Sequence, residues 1–72
     1  MSNMEKELVG FNVYWVKNGS TEEKVTFVMS ANYEEAHDKV LLIKGGPAKV
    51  TITKVHEYDR LTKSLIGEPV TF

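Results

Sequence analysis

The sequence predicts an α+β domain in which an antiparallel sheet of three or four strands carries one helix on one face. Two alternating apolar segments around a short polar loop are typical of a β-hairpin. A segment with apolar residues at spacings of three and four follows, as in an amphipathic helix. Another alternating segment comes after it. A chain of 72 residues has room for a single domain, 1–72.

The first predicted strand, from about Leu8 to Lys17, has the most regular alternation in the chain. Its odd-numbered positions are large and wholly apolar, so they are expected to form the floor of the core. These positions are Val9, Phe11, Val13 and Trp15. Residues 1–6, which precede the strand, are expected to be a loose arm.

Asn18-Gly19 predicts the turn into a second strand, Lys24–Ser30, because both residues tolerate positive φ. That strand alternates as well. One side carries Val25, Phe27 and Met29, and the other carries Lys24, Thr26 and Ser30.

A helix is expected from about Tyr33 to Lys44. Asn32 is a suitable N-cap, and Glu35 three residues later completes the pattern of a capping box. The run 45–47, Gly-Gly-Pro, ends the helix, since glycine takes the left-handed conformation and proline cannot continue it.

The third predicted strand covers residues 48–55, with Val50 and Ile52 facing the core. Val55 breaks this phase, so either a bulge lies at 53–54 or Val55 belongs to the opposite face. Residues 58–64 are expected to form a turn-rich connection. Leu65-Ile66 and the segment 70–72 are then expected to form a fourth strand, which Gly67 and Pro69 restrict to a sheet edge.

The element order β-β-α-β-β favours the spatial order 2-1-3-4, with the helix packed on one face of the sheet. In this arrangement every neighbouring pair of strands is antiparallel, and a right-handed crossover through the helix places the third strand beside the first. The first strand is then central, which agrees with its apolar composition.

Composition weakens the case for some classes of function and excludes others. Nine Lys and Arg against ten Asp and Glu give a net charge of −1, without the basic patch that nucleic-acid-binding proteins usually show. The absence of cysteine excludes disulfides and thiolate zinc sites. No apolar run has the length of a membrane span, and the polar start lacks a signal peptide. We therefore expect a soluble, cytoplasmic protein that does not contact a membrane.

The two histidines, His37 and His56, are the residues best suited to chemistry. Glu57 and Asp59 follow His56, and a histidine with two carboxylates can bind a metal or move a proton. However, a metal site needs three or four converging ligands, and no recognised ligand spacing is present. The sequence thus predicts no enzyme, no catalytic or metal-binding residue and no cofactor.

A single helix covers a single face of the sheet, so the other face is expected to be open. Its expected apolar centre is Tyr14, Val16 and Val28, and Leu42 lies opposite the apolar stripe of the helix. Scattered surface hydrophobes are normal, whereas a contiguous apolar patch usually marks a contact. The second alternative predicts a non-enzymatic protein–protein interaction module. Its partner is another protein or a second copy in a homodimer.

Nucleic-acid binding on the open face is the alternative function. Aromatic side chains on a sheet can stack bases, and Tyr14 with Lys49 and Lys54 would supply an aromatic ring with basic neighbours. Only one aromatic residue is expected there, so this alternative predicts a weak binder.

The hairpin, the helix start Asn32-Tyr33-Glu34-Glu35-Ala36 and the strand segment Val50–Thr53 resemble small phage-encoded proteins of the β-β-α-β type. The resemblance covers about residues 8–55 and implies an inhibitor of a host enzyme or defence complex. Some such proteins dimerise. Inhibitors of this kind that mimic DNA are strongly acidic, and the net charge of −1 departs from that pattern.

Overall fold

The computed structural model describes residues 7–72, so the arm expected at residues 1–6 lies outside the described residues. The elements are β1 (Val9–Lys17), β2 (Glu23–Ser30), α1 (Tyr33–Ile43), β3 (Val50–Asp59) and β4 (Ser64–Thr71). All neighbouring strands are antiparallel, and the sheet order is β2-β1-β3-β4. The predicted α+β class and strand order are therefore confirmed.

The core lies between α1 and one face of the sheet. Phe11 and Val13 of the central strand β1 are almost completely buried, as their alternation predicted, and the Phe11 ring lies 4.9 Å from that of Tyr33 on the helix. The buried apolar residues are Phe11, Val13, Ala36, Val40, Val50, Ile52 and Val55.

The face assignment of β2 was wrong. Phe11 lies opposite Val28, and directly opposed residues share a face, so Val28 points toward α1 and packs against the core. The alternation of β2 does not reveal its inner side, since both sets of residues contain apolar side chains. The register set by the connection over residues 18–22 decides it, because a slip of one residue turns every side chain over.

The helix begins as predicted, with one difference in its cap. The side chain of Asn32 accepts a hydrogen bond of 2.8 Å from the backbone N–H of Glu35. The Glu35 carboxylate accepts from the N–H of Ala31 at 2.8 Å, one residue further back than a capping box requires. Lys44 is the C-cap, and Gly45 and the next glycine follow with positive φ, which explains this stop signal without a ligand.

The irregular phase of the third strand reflects a bulge. Trp15 lies opposite Ile52 but Tyr14 lies opposite Lys54, so Thr53 is the extra residue and Val55 returns to the core. The strand also continues to Asp59, further than the sequence predicted.

The fourth strand is one continuous edge element that includes Gly67 and Pro69. All residues of β4 are exposed, and its pairing with β3 is irregular where Gly67 and Pro69 occur. The edge position predicted from these two residues is confirmed.

Candidate interaction surfaces

The side of the sheet turned away from α1 is here named the open sheet face. In the described part of the chain α1 is the only helix, and it packs on the opposite side. Strand alternation and register place eleven side chains of the three strands β1, β2 and β3 on this face. They are Asn12, Tyr14, Val16, Glu23, Val25, Phe27, Met29, Thr51, Lys54, His56 and Tyr58.

A contact between Phe27 and Gly10 organises one end of the open sheet face. A Cβ atom built on Gly10 would lie 2.7 Å from the nearest carbon of the Phe27 ring and 2.6 Å from the carbonyl oxygen of Tyr58. The ring of Phe27 therefore covers the glycine. Tyr58 packs edge-on against Phe27, with ring centroids 6.0 Å apart.

A groove of about 660 Å³ lies around this aromatic pair and is called the end groove. Its apolar lining includes Leu8, Phe27, Met29 and Leu61. Leu61, in the turn between β3 and β4, is 95% exposed, so water covers nearly the whole side chain.

The end groove also carries charge. The guanidinium carbon of Arg60 lies 4.7 Å from the centroid of the Phe27 ring, within cation–π range. Glu57 and Asp59 line the same groove. The Asp59 carboxylate accepts a 2.9 Å hydrogen bond from the N–H of Leu61, which holds the turn that presents Leu61.

The predicted site residues separate in the structure. Tyr14 and half-buried Val16 lie together on the open sheet face, but Val28 lies on the other side against the core. Leu42 is 79% exposed on α1, also across the sheet from Tyr14. Tyr14, Val16, Val28 and Leu42 therefore do not form one surface.

The residues predicted for nucleic-acid binding also separate. Lys54 lies opposite Tyr14, with its Nζ 4.8 Å from the tyrosine ring centroid. The side chain of Lys49 instead lies against Gly45, after the end of α1, and contributes to a recess around Trp15. The structure brings Tyr14 and Lys54 together and leaves Lys49 elsewhere.

Sequence reasoning missed Phe27 and Tyr58 as surface residues. A signal was available in Gly10, because a glycine inside an alternating strand often marks the close approach of another group. Here that group is the ring of Phe27.

His56 does not meet the carboxylates of Glu57 and Asp59, whereas the Nδ1 of His37 lies 2.9 Å from the Asp38 carboxylate. His56 faces the open sheet face and its Nε2 donates to the Gly67 carbonyl at 2.9 Å, while Glu57 lies opposite Phe11 on the other face. The His37 ring stacks on Phe72 with centroids 4.3 Å apart. No group of three or more His, Asp or Glu side chains within residues 7–72 is arranged to hold a metal ion.

A basic recess lies on the α1 side of the sheet, around Trp15. Trp15 is half-buried and packs partly against the core, and its indole N–H donates to the Thr26 hydroxyl at 2.9 Å. The recess has a volume of about 400 Å³. We name its four cationic lining residues the lysine cluster: Lys17, Lys24, Lys44 and Lys49.

Comparison of the chain with models of known protein families, with curated proteins and with solved structures found no match. The resemblance to small phage-encoded proteins is therefore untested and stays a prediction. Over residues 7–72 we find no helix with the length and apolar character needed to cross a membrane.

Proposed function

We propose that the chain is a non-enzymatic protein–protein interaction module that binds a partner protein on the open sheet face, at the end groove. The observation that carries this proposal is the groove itself, a concave and mainly apolar surface beside a sheet face that no helix of residues 7–72 covers. Concave, mainly apolar surfaces with a few polar groups are the usual sites of specific binding. Contiguous exposed apolar patches usually mark contacts with other molecules.

The exposed apolar side chains around the groove support this proposal. Leu8 is 55% exposed, Met29 42% and Leu61 95%, and all three line the groove. A partner that inserted an apolar side chain here would remove several large apolar groups from water at once. Such desolvated apolar contacts usually supply most of the affinity at a protein interface.

The polar groups at the groove would restrict which partner binds. Arg60 can donate to a carboxylate of the partner or stack on one of its aromatic rings. The proposed partner surface therefore has an apolar centre and a mixed, polar rim.

Capture of partners from an extract of the native host tests this proposal. The full chain is immobilised beside a Leu61→Ser/Met29→Ser variant and a Leu42→Ser control, all three being checked for native structure by circular dichroism. Both sets of changes lie at exposed positions, so stability should change little. The proposal expects a specific captured protein to be lost with the groove variant and kept with the control.

Two results would contradict the groove as the contact surface. Equal capture by all three chains would exclude it, and loss only with Leu42→Ser would place the contact on the outer side of α1. Light scattering during size exclusion tests the related proposal that the partner is a second copy. A mass that stays at 8.1 kDa at high protein concentration excludes a homodimer.

A further inference from the structure

We infer that the lysine cluster around Trp15 is a second binding site, which holds the phosphodiester chain of a nucleic acid. The site is separate from the open sheet face, because Trp15 and Lys24 lie opposite each other on the side that faces α1. It differs in residues and in position from the nucleic-acid surface that the sequence predicted around Tyr14.

The concentration of charge in the recess is the first argument. Four of the nine Lys and Arg of a chain with net charge −1 line a recess of about 400 Å³. That volume corresponds to a box roughly 7 Å on a side, below the screening length of about 8 Å at physiological ionic strength. An anion bound in the recess would therefore lie within about a screening length of several lysine side chains.

The absence of ion pairs between these lysines and the described carboxylates is the second argument. None of the four lysines forms an ion pair with a carboxylate of residues 7–72. Four positive charges around one recess, without an ion pair to a carboxylate of residues 7–72, have the charge pattern of an anion-binding site.

Local structural roles account for only part of the cluster. The Nζ atoms of Lys44 and Lys24 lie 4.9 Å and 5.7 Å from the centre of a Trp15 ring, so both cations gain from the indole. Lys44 also lies at the C-cap, where the helix dipole favours a positive charge. Lys17 and Lys49 are exposed and make no cation–π contact with the indole, yet they line the same recess.

The shape and chemistry of the recess favour a phosphodiester chain as the ligand. Lysine binds phosphate as a point charge without requiring the fixed geometry of arginine. Four such charges in one recess match a ligand with several neighbouring phosphates. A membrane surface fits less well, because the Trp15 side chain is half-buried, packs partly against the core and donates to Thr26 instead of projecting toward a bilayer.

The fluorescence of Trp15 reports binding directly, since Trp15 is the only tryptophan in the chain and lies in the recess. The full chain is titrated at low salt with a single-stranded oligodeoxynucleotide, and in parallel with a duplex of the same length and with vesicles containing anionic phosphatidylserine. We expect an oligonucleotide to quench the Trp15 fluorescence, and we expect this quenching to saturate. If four lysines each neutralise a phosphate of a single strand, log K should fall with log salt with a slope of about −3.

Charge-neutral variants locate the site. Lys44→Gln/Lys49→Gln should reduce the slope to about −1.5 and weaken binding about tenfold or more at low salt. Lys17→Gln/Lys24→Gln, at two exposed strand positions, provides an independent second variant with the same expected loss. Lys39→Gln/Lys63→Gln removes the same charge outside the recess and should leave the oligonucleotide affinity unchanged.

Four results would overturn the inference. The first is no oligonucleotide binding at low salt, and the second is equal weakening by the cluster variants and the control. The third is loss of binding only in Lys54→Gln/Arg60→Gln, which would transfer the contact to the open sheet face. The fourth is cluster-dependent binding to vesicles without any binding to oligonucleotides, which would identify a membrane surface as the ligand.

Discussion

Replacing Gly10 with alanine tests whether the end groove is built as the structure shows. Gly10 lies in β1 with no positive φ, so its backbone conformation is available to alanine. Where space allows, a change from glycine to alanine stabilises a protein by about 0.4–1 kcal/mol through the unfolded state. The sign of the change in the free energy of unfolding therefore reports whether there is space for a methyl group at Gly10.

The structure shows that this space is absent. The added Cβ would lie 2.6 Å from the Tyr58 carbonyl oxygen and 2.7 Å and 2.8 Å from two carbons of the Phe27 ring. The ring can rotate away, but the carbonyl belongs to the backbone of β3. Overpacking usually costs about 1–3 kcal/mol, so after the unfolded-state gain we expect a net loss of about 1–2 kcal/mol.

Urea denaturation, monitored by Trp15 fluorescence and circular dichroism, measures this loss of stability. A double-mutant cycle with Phe27→Ala shows how much of the loss comes from contact with the Phe27 ring. Removing the ring eliminates one of the two clashes, so Gly10→Ala should cost at least about 0.5 kcal/mol less in the Phe27→Ala background. If Gly10→Ala leaves stability unchanged or raises it, or if the two changes are additive, Phe27 does not cover Gly10 and the groove has another form.

Three further substitutions test the core and the helix start, each by urea denaturation. Val55→Ala should lower the free energy of unfolding by roughly 2 kcal/mol, because Val55 is 0% exposed after the bulge; a negligible effect would place Val55 outside the core. Asn32→Ala should cost about 1 kcal/mol by removing the bond to the Glu35 N–H; no loss would mean that the cap does not form in solution. Ser30→Ala should stabilise the chain by about 1 kcal/mol, since the buried Ser30 hydroxyl has no hydrogen-bond partner within residues 7–72; a loss would reveal a partner.

The parts of the fold that the sequence predicted are those where the pattern had a single interpretation. In β1 only the set containing Phe11 and Val13 is uniformly apolar, so its inner face was clear. Val55, out of phase with Ile52, allowed a bulge to be anticipated. The fold class and strand order followed from the order of the elements.

The parts of the fold that could not be predicted depend on pairing between segments that are distant in the sequence. Phe27 and Val28 are adjacent apolar residues in β2. Only the length of the preceding loop decides which of them faces the helix. Tyr58 lay beyond the expected end of β3, because the turn-forming residue Asp59 suggested a loop there. Pairing with Ser64 and Leu65 in β4 extends the strand instead.

The lysine cluster could not be predicted from the sequence for a similar reason. Its members come from β1, β2, the end of α1 and the segment before β3, and none of them is next to another in sequence. An even spread of charge along a chain therefore does not exclude a basic site in the folded molecule. The cluster appears only once β1 and β2 pair and the helix ends beside them.

The absence of buried residues from β4 has a consequence for how the molecule opens. No residue of β4 is buried, so detaching this strand uncovers little of the core that α1 shares with β1 and β3. Amide protons held between β3 and β4 should consequently exchange with solvent through partial fraying, well before those between β1 and β3, whose release requires global unfolding. The carboxyl-terminal strand would then be the part of the sheet that a protease reaches first.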